Sequence, residues 1–191
     1  MKHKVLLIYS WFIRTMLFFW PDIPIVMSFR GWLYGLGMAH CGRNFQVTHN
    51  VVINTLGSFW IGNDVRLGIF SRLNGSAHGR CEIGNAVIVG QGTMISCGNH
   101  VFNGYNFRDG KPNAANAKVI HIGEGAWVGA NCTVTAGSSI PAHSVVAAQS
   151  CVTPKMEQHE YGIYGGVPAH FIKYLKGYEP TIMGGGEFLD I

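Results

Sequence analysis

The chain keeps a six-residue beat. From Ile83 to Met94 it reads IGNAVI and then VGQGTM, an aliphatic residue, a glycine and four further residues, twice over. The beat returns upstream as IGNDVR from Ile61 and LGIFSR from Leu67, and downstream as IGEGAW from Ile122 and VGANCT from Val128. With the aliphatic residue as phase marker, the series runs Val47, Ile53, Ile61, Leu67, Leu73, Ile83, Val89, Ile95 and Val101. It resumes at Ile122, Val128, Val134, Ile140, Val146 and Val152. None of these positions carries a charge, so they are expected to form one buried row.

A period of six suits neither the 3.6 of an amphipathic helix nor the 2 of a long strand. It is the period of a parallel β-helix in which each hexad lays down a short strand and a corner, and three hexads close one triangular coil. Each buried marker contributes roughly 1.5–3 kcal/mol, and stacked coils share a core that no single repeat can bury. The residue two before the marker turns into the corner and is often small, as at Cys81, Thr93, Ala126, Cys132, Ser138, Ser144 and Ser150. Glycine after the marker relieves crowding where the chain bends.

The rest of the chain divides around this repeat. Residues 1–40 form an apolar helical segment, 41–154 the β-helix, and 155–191 a C-terminal segment and tail, with a short helix expected through Ile172 and Leu175 and little order around Gly184 to Gly186. The run from Val5 to Trp20 is aliphatic and aromatic almost all round, with Arg14 inside it and Pro21 ending it. No small-residue cleavage site follows, against a signal peptide, and the internal Arg argues against a spanning helix. Residues 1–20 are therefore expected either to dock on protein or to lie in a membrane surface.

A net charge of +4 with 13% charged residues, and no basic run interleaved with aromatics, argues against nucleic acid as a partner. Five cysteines without CxxC spacing read as reduced thiols and point to the cytoplasm, with a place at the inner face of the membrane if the first segment binds there.

A uniform solenoid acquires chemistry where it is interrupted. The step between markers is 8 from Ile53 to Ile61, 10 from Leu73 to Ile83 and 21 from Val101 to Ile122. The last requires a polar loop, about 102–119, containing GYNFRDGKPNAANA, and long loops in compact repeats are commonly functional. With 18 residues per coil, Ile83 and Val101 stack, which sets Glu82 beneath His100. Asn74 and His78 leave the same corner one coil earlier. A histidine paired with a carboxylate has one ring nitrogen oriented and the other free to take a proton, so His100 is the expected general base and Glu82 its partner. The roles of His78 and His121 stay open.

The segments ISCGNHVF, HIGEGAWVGANCTVTAGSSIP and GGVPAHFIK resemble the bacterial hexapeptide-repeat acyltransferases, above all their sugar O-acetyltransferases that decorate lipopolysaccharide, capsule and exopolysaccharide. The resemblance covers about residues 40 to 176. It implies a left-handed β-helix, a homotrimer, acetyl-CoA held between coils, a saccharide or glycan-precursor acceptor, and no metal. It implies that His100 deprotonates the acceptor hydroxyl while Trp127, Gly129 and Ala130 line the pantetheine channel. Ala148 and Thr153 would contact CoA farther along, and Lys155 and Lys173 would meet its phosphates, although Pro154 stands where the family often has a basic residue. Asn74 is the candidate for acceptor binding, although counting back from Ile83 puts Phe70 at the position of the family's asparagine. Two other readings of the fold are a non-catalytic assembly subunit and a zinc enzyme like the γ-class carbonic anhydrases, the latter disfavoured by the lack of close HxxxxH spacing.

Overall fold

The computed structural model describes residues 2–110 and 117–179, with side chains from Val5 onward. It is a left-handed parallel β-helix of about five coils, closed at its first coil by two helices, α1 (Lys2–Met16) and α2 (Pro24–Gly35).

Three sheets form the prism, with every strand pair parallel except the last pair of the second sheet. Sheet A stacks β1 (His40–Cys41), β4 (Phe59–Ile61), β7 (Arg80–Ile83), β10 (Val119–Ile122) and β13 (Ser139–Ile140). Sheet B stacks β2 (Gln46–Val47), β5 (Arg66–Leu67), β8 (Ile88–Val89), β11 (Trp127–Val128), β14 (Val145–Val146), β16 (Gly162–Gly165) and β17 (His170–Tyr174). Sheet C stacks β3 (Val52–Asn54), β6 (Arg72–Asn74), β9 (Met94–Ser96), β12 (Thr133–Val134) and β15 (Cys151–Val152). Marker sits on marker throughout: Ile61 on Ile83 and Ile83 on Ile122 in sheet A, Val89 on Val128 in sheet B, Ile95 on Val134 in sheet C. Every marker but one is at most 3% exposed.

The exception is Val101, and it changes the register. The chain leaves the coil after β9 and regains it only at β10, so the strand above Ile83 is Ile122 and the residue above Glu82 is His121, not His100. The reason lies one position after the marker. A Cβ added at Gly62 would meet the backbone N of Asn85 at 2.7 Å, and one at Gly84 that of Glu124 at 2.7 Å, so this column of sheet A admits only glycine between coils. Ile122 is followed by Gly123, whereas Val101 is followed by Phe102. The excursion consequently begins at Gly98, earlier than the expected 102.

The C-terminal helix expected through Ile172 and Leu175 is replaced by β17, which runs antiparallel to β16 with Ile163 opposite Lys173. The unpaired backbone of the last sheet B strand needs donors and acceptors, and supplying them outweighs the three-residue apolar spacing. The stretch Gly184 to Gly186 lies outside the described residues.

At the other end, α1 lays Ser10 and Ile13 on the first coil, followed by Leu17 just past its end, and the Ser10 hydroxyl donates to the carbonyl of Ile53 at 2.6 Å. Arg30, 2% exposed, ties the cap together: its guanidinium donates to the carbonyls of Val47 (2.6 Å), Trp20 (3.2 Å) and Leu17 (3.5 Å) and pairs with Asp22 at 3.1 Å. Buried charge is tolerated where it is paired and hydrogen-bonded in this way. The docked alternative for the first segment thus holds for one face of each helix.

Candidate active site

The corner between sheets C and A carries every interruption. In the first coil it holds the turn Leu56–Ser58, in the second Gly75 to Gly79, in the third the long excursion, and in the fifth Thr153 to Lys155. Asn74 ends its strand at the root of the excursion. Its side-chain oxygen accepts from Asn54 at 3.2 Å, its carbonyl accepts the amide of Cys97 at 2.9 Å, and Ser96 is its neighbour one coil on. Asn74 and the emerging loop are therefore brought together as expected.

Cys97 fixes the departure point. It is buried against Gly79, where an added Cβ would come 2.5 Å from its carbonyl oxygen, and its thiol lies at that of Cys81. That contact and complete burial push the Cys81 thiol well above the usual range. The loop then folds on itself: the Asn103 side chain accepts from the amides of Tyr105 (2.9 Å) and Asn106 (2.8 Å), Asn106 does the same for Asp109, and Phe102 packs on Phe107 at 5.1 Å. These asparagine-centred turns hold a loop open without secondary structure. His100 is exposed near its start.

Glu82 has other partners than the one expected. Its carboxylate meets the Nδ1 of His121 at 3.2 Å and the guanidinium of Arg80, which also lies 4.0 Å over the ring of Trp60. This outward ladder on sheet A runs His40, Trp60, Glu82, His121, Ser139. His121 is thus the imidazole that Glu82 orients, and the pairing of Glu82 with His100 is withdrawn. The glycine after Ile122, absent after Val101, is the signal that reveals it. His78 is exposed and lines an open cleft of about 480 Å³ with Ser58, Trp60, Ser76 and Arg80 beneath the excursion. A larger cleft, about 860 Å³ between α2 and the first coil, lies away from this loop.

The residues assigned to the acyl donor occupy a different edge. Trp127 points outward from sheet B, 52% exposed, between Ile88 and Val145. The same outward column continues through Ile163 to Lys173, three rungs or ~14 Å from Trp127 at ~4.8 Å per rung. Gly129 and Ala130 turn the adjoining corner directly below Ala148. A Cβ at Gly129 would strike the Ala148 amide at 2.6 Å, and the carbonyl of Ala130 accepts from Gln149 at 2.8 Å. Trp127, Gly129, Ala130, Ala148 and Lys173 therefore share one face. Thr153 and exposed Lys155 sit instead at the C–A corner with the loop. Within one chain, sheet C separates the two groups. Among the described residues, no three histidine, cysteine or acidic side chains converge to hold a metal.

No family model matches the chain, and neither does any curated protein. Solved structures do. A hexapeptide-repeat-containing acetyltransferase of Vibrio cholerae complexed with acetyl coenzyme A superposes with a TM-score of 0.74 at 23% identity, covering 91% of this chain and 88% of its own. A maltose O-acetyltransferase of Clostridium difficile gives 0.70 at 18%, with 91% and 89% covered. A galactoside acetyltransferase in complex with coenzyme A gives 0.69 at 18%, with 90% and 81% covered. At these identities the likeness carries the fold.

Proposed function

We propose that the protein is an acetyl-CoA-dependent O-acetyltransferase that acts on a sugar hydroxyl, with His100 as general base. One observation carries the reading: the only long excursion of the coil among the described residues bears His100, on a fold that superposes over nine-tenths of this chain on acetyltransferases, two of them named for saccharides.

The chemistry follows from an exposed imidazole beside a thioester. A His100 ring nitrogen takes the proton of the acceptor hydroxyl as its oxygen attacks the acetyl carbonyl, and backbone N–H groups stabilise the tetrahedral oxyanion. Collapse breaks the C–S bond, and the departing CoA sulfur receives the proton from the imidazolium. The products are the sugar acetate and free CoA thiol. Trp127 and the small residues Gly129, Ala130 and Ala148 form the channel for pantetheine, with Lys173 toward the phosphates; Thr153 and Lys155 reach the same donor from the C–A corner. Asn74 is the acceptor-side candidate at the root of the loop.

Because the donor face and the histidine loop lie on opposite sides of sheet C, we assign the complete site to the cleft between adjacent copies of a homotrimer. Repetition of a triangular prism about a three-fold axis sets one edge of each copy against a face of the next. The acceptor we favour is a precursor of a surface polysaccharide, capsule or lipopolysaccharide. Five unpaired thiols favour the cytoplasm. The test is release of CoA thiol from acetyl-CoA with a panel of sugars and glycan precursors, with the acetylated product identified by its mass. Hydrolysis that no acceptor accelerates would overturn the assignment.

A further inference from the structure

The two N-terminal helices bury one apolar face on the β-helix and leave another exposed. On α1, Val5, Ile8, Phe12 and Met16 recur at spacings of three and four, and each is more than half exposed. On α2, Ile25, Phe29 and Trp32, with Leu36 just past its end, follow the same spacing and are 42–80% exposed. Trp20 and Phe19 in the link between the helices are also exposed. Phe29 stacks with Trp20 at 6.4 Å and with Trp32 at 5.8 Å, so link and second helix form one continuous aromatic strip. Helices apolar on both faces are stable only where both faces find an apolar neighbour.

Charge decides what that neighbour is. Residues 1–43 contain five basic side chains, Lys2, Lys4, Arg14, Arg30 and Arg43, against one acidic, Asp22, which Arg30 neutralises. The remaining 148 residues contain nine of each sign, so this end carries the whole +4. A second copy meeting it here would bring like charges together, whereas an anionic lipid surface is complementary to it. All three tryptophans of the segment, Trp11, Trp20 and Trp32, are outward, and tryptophan favours the membrane–water interface. At ~1.5 Å per residue the helices are ~22 and ~18 Å long, short of a hydrocarbon core of ~30 Å, and among the described residues no helix is long and apolar enough to cross a membrane.

We propose that α1 and α2 lie in the interfacial plane of an anionic bilayer, with the outward apolar face of both helices in the headgroup–acyl boundary and the β-helix standing away from it. The surface is independent of the catalytic assignment. It places the excursion two coils, ~10 Å along the prism, from the coil that the helices cover.

The test is co-sedimentation of the full-length protein with vesicles of phosphatidylglycerol and phosphatidylcholine, and with phosphatidylcholine alone. Binding at least tenfold stronger to the anionic vesicles, weakened by 1 M salt, is expected. The double variant Phe12→Ser, Ile25→Ser should lose binding at least tenfold while keeping the far-ultraviolet spectrum and lipid-free oligomeric state of the parent. Absence of binding by the parent overturns the proposal. So does a double variant that binds as the parent does, or one whose lipid-free assembly falls apart, since the face would then be buried between copies.

Discussion

The register of the coils can be tested by deleting the same two methyl groups at two valines that the six-residue beat treats as equals. Val134 is fully buried in sheet C, stacked between Ile95 and Val152. Its truncation to alanine loses about 0.8 kcal/mol for each of two buried carbons plus a cavity term, about 2–3 kcal/mol in all. Val101 lies on the excursion, half-buried and with no strand partner, so Val101→Ala should cost less than about 1 kcal/mol by the same reasoning. For a chain of this size about 1 kcal/mol moves the melting temperature by ~2–4 °C. Thermal unfolding at one fixed protein concentration, to hold assembly constant, should therefore separate the variants. A fall of about 5–10 °C is expected for Val134→Ala and less than about 4 °C for Val101→Ala. Equal losses would mean that Val101 occupies the coil, that His100 stands above Glu82 after all, and that the glycine-column argument is wrong.

The N-terminal cap should depend on its buried guanidinium: Arg30→Met leaves the carbonyls of Val47, Trp20 and Leu17 without their donor and is expected to cost about 3 kcal/mol, read by chemical denaturation. Tyr34, 1% exposed, has its phenol pushed up to about 12 by burial. Because the folded value lies above the unfolded one of about 10, its contribution is complete below pH ~10 and is lost as pH rises toward ~12, by about 2–3 kcal/mol at most. Alkaline unfolding of the parent should accordingly be steeper than that of Tyr34→Phe, and parallel profiles would contradict it. Glu82→Gln should act through His121: a double-mutant cycle on stability with His121→Ala is expected to give about 0.2–1 kcal/mol, and the corresponding cycle with His100→Ala none.

What could be read from the residues was what repeats. The markers, the small corner residues such as Thr93, Ser138 and Ser144, and the places where the beat stumbles all follow from one-dimensional stacking, and every marker but Val101 is buried where it was expected. The length of the excursion was visible as well, but not which of its two ends belonged to the coil. Val101 and Ile122 are equally apolar, and only the steric demand of the next coil on the following residue distinguishes them. That demand comes from backbone packing between coils, which aliphatic spacing does not record. The terminal β17 escaped for a related reason: its conformation answers the open edge of β16, a need set by the rest of the structure rather than by its own residues. Trp127 and Lys173 show both sides of this. They are 46 positions apart in the chain; the coil length carries the column from Trp127 through Val145 to Ile163, but only the antiparallel return of β17 sets Lys173 beside Ile163.

The central claim is that His100 removes the acceptor proton. Its most direct test is turnover of acetyl-CoA with an accepted sugar by His100→Ala beside the parent, with acetyl-CoA affinity measured in parallel by calorimetry. A fall in kcat of about 10²–10⁴ with donor affinity unchanged is the expected result. Undiminished turnover in the variant would contradict the account.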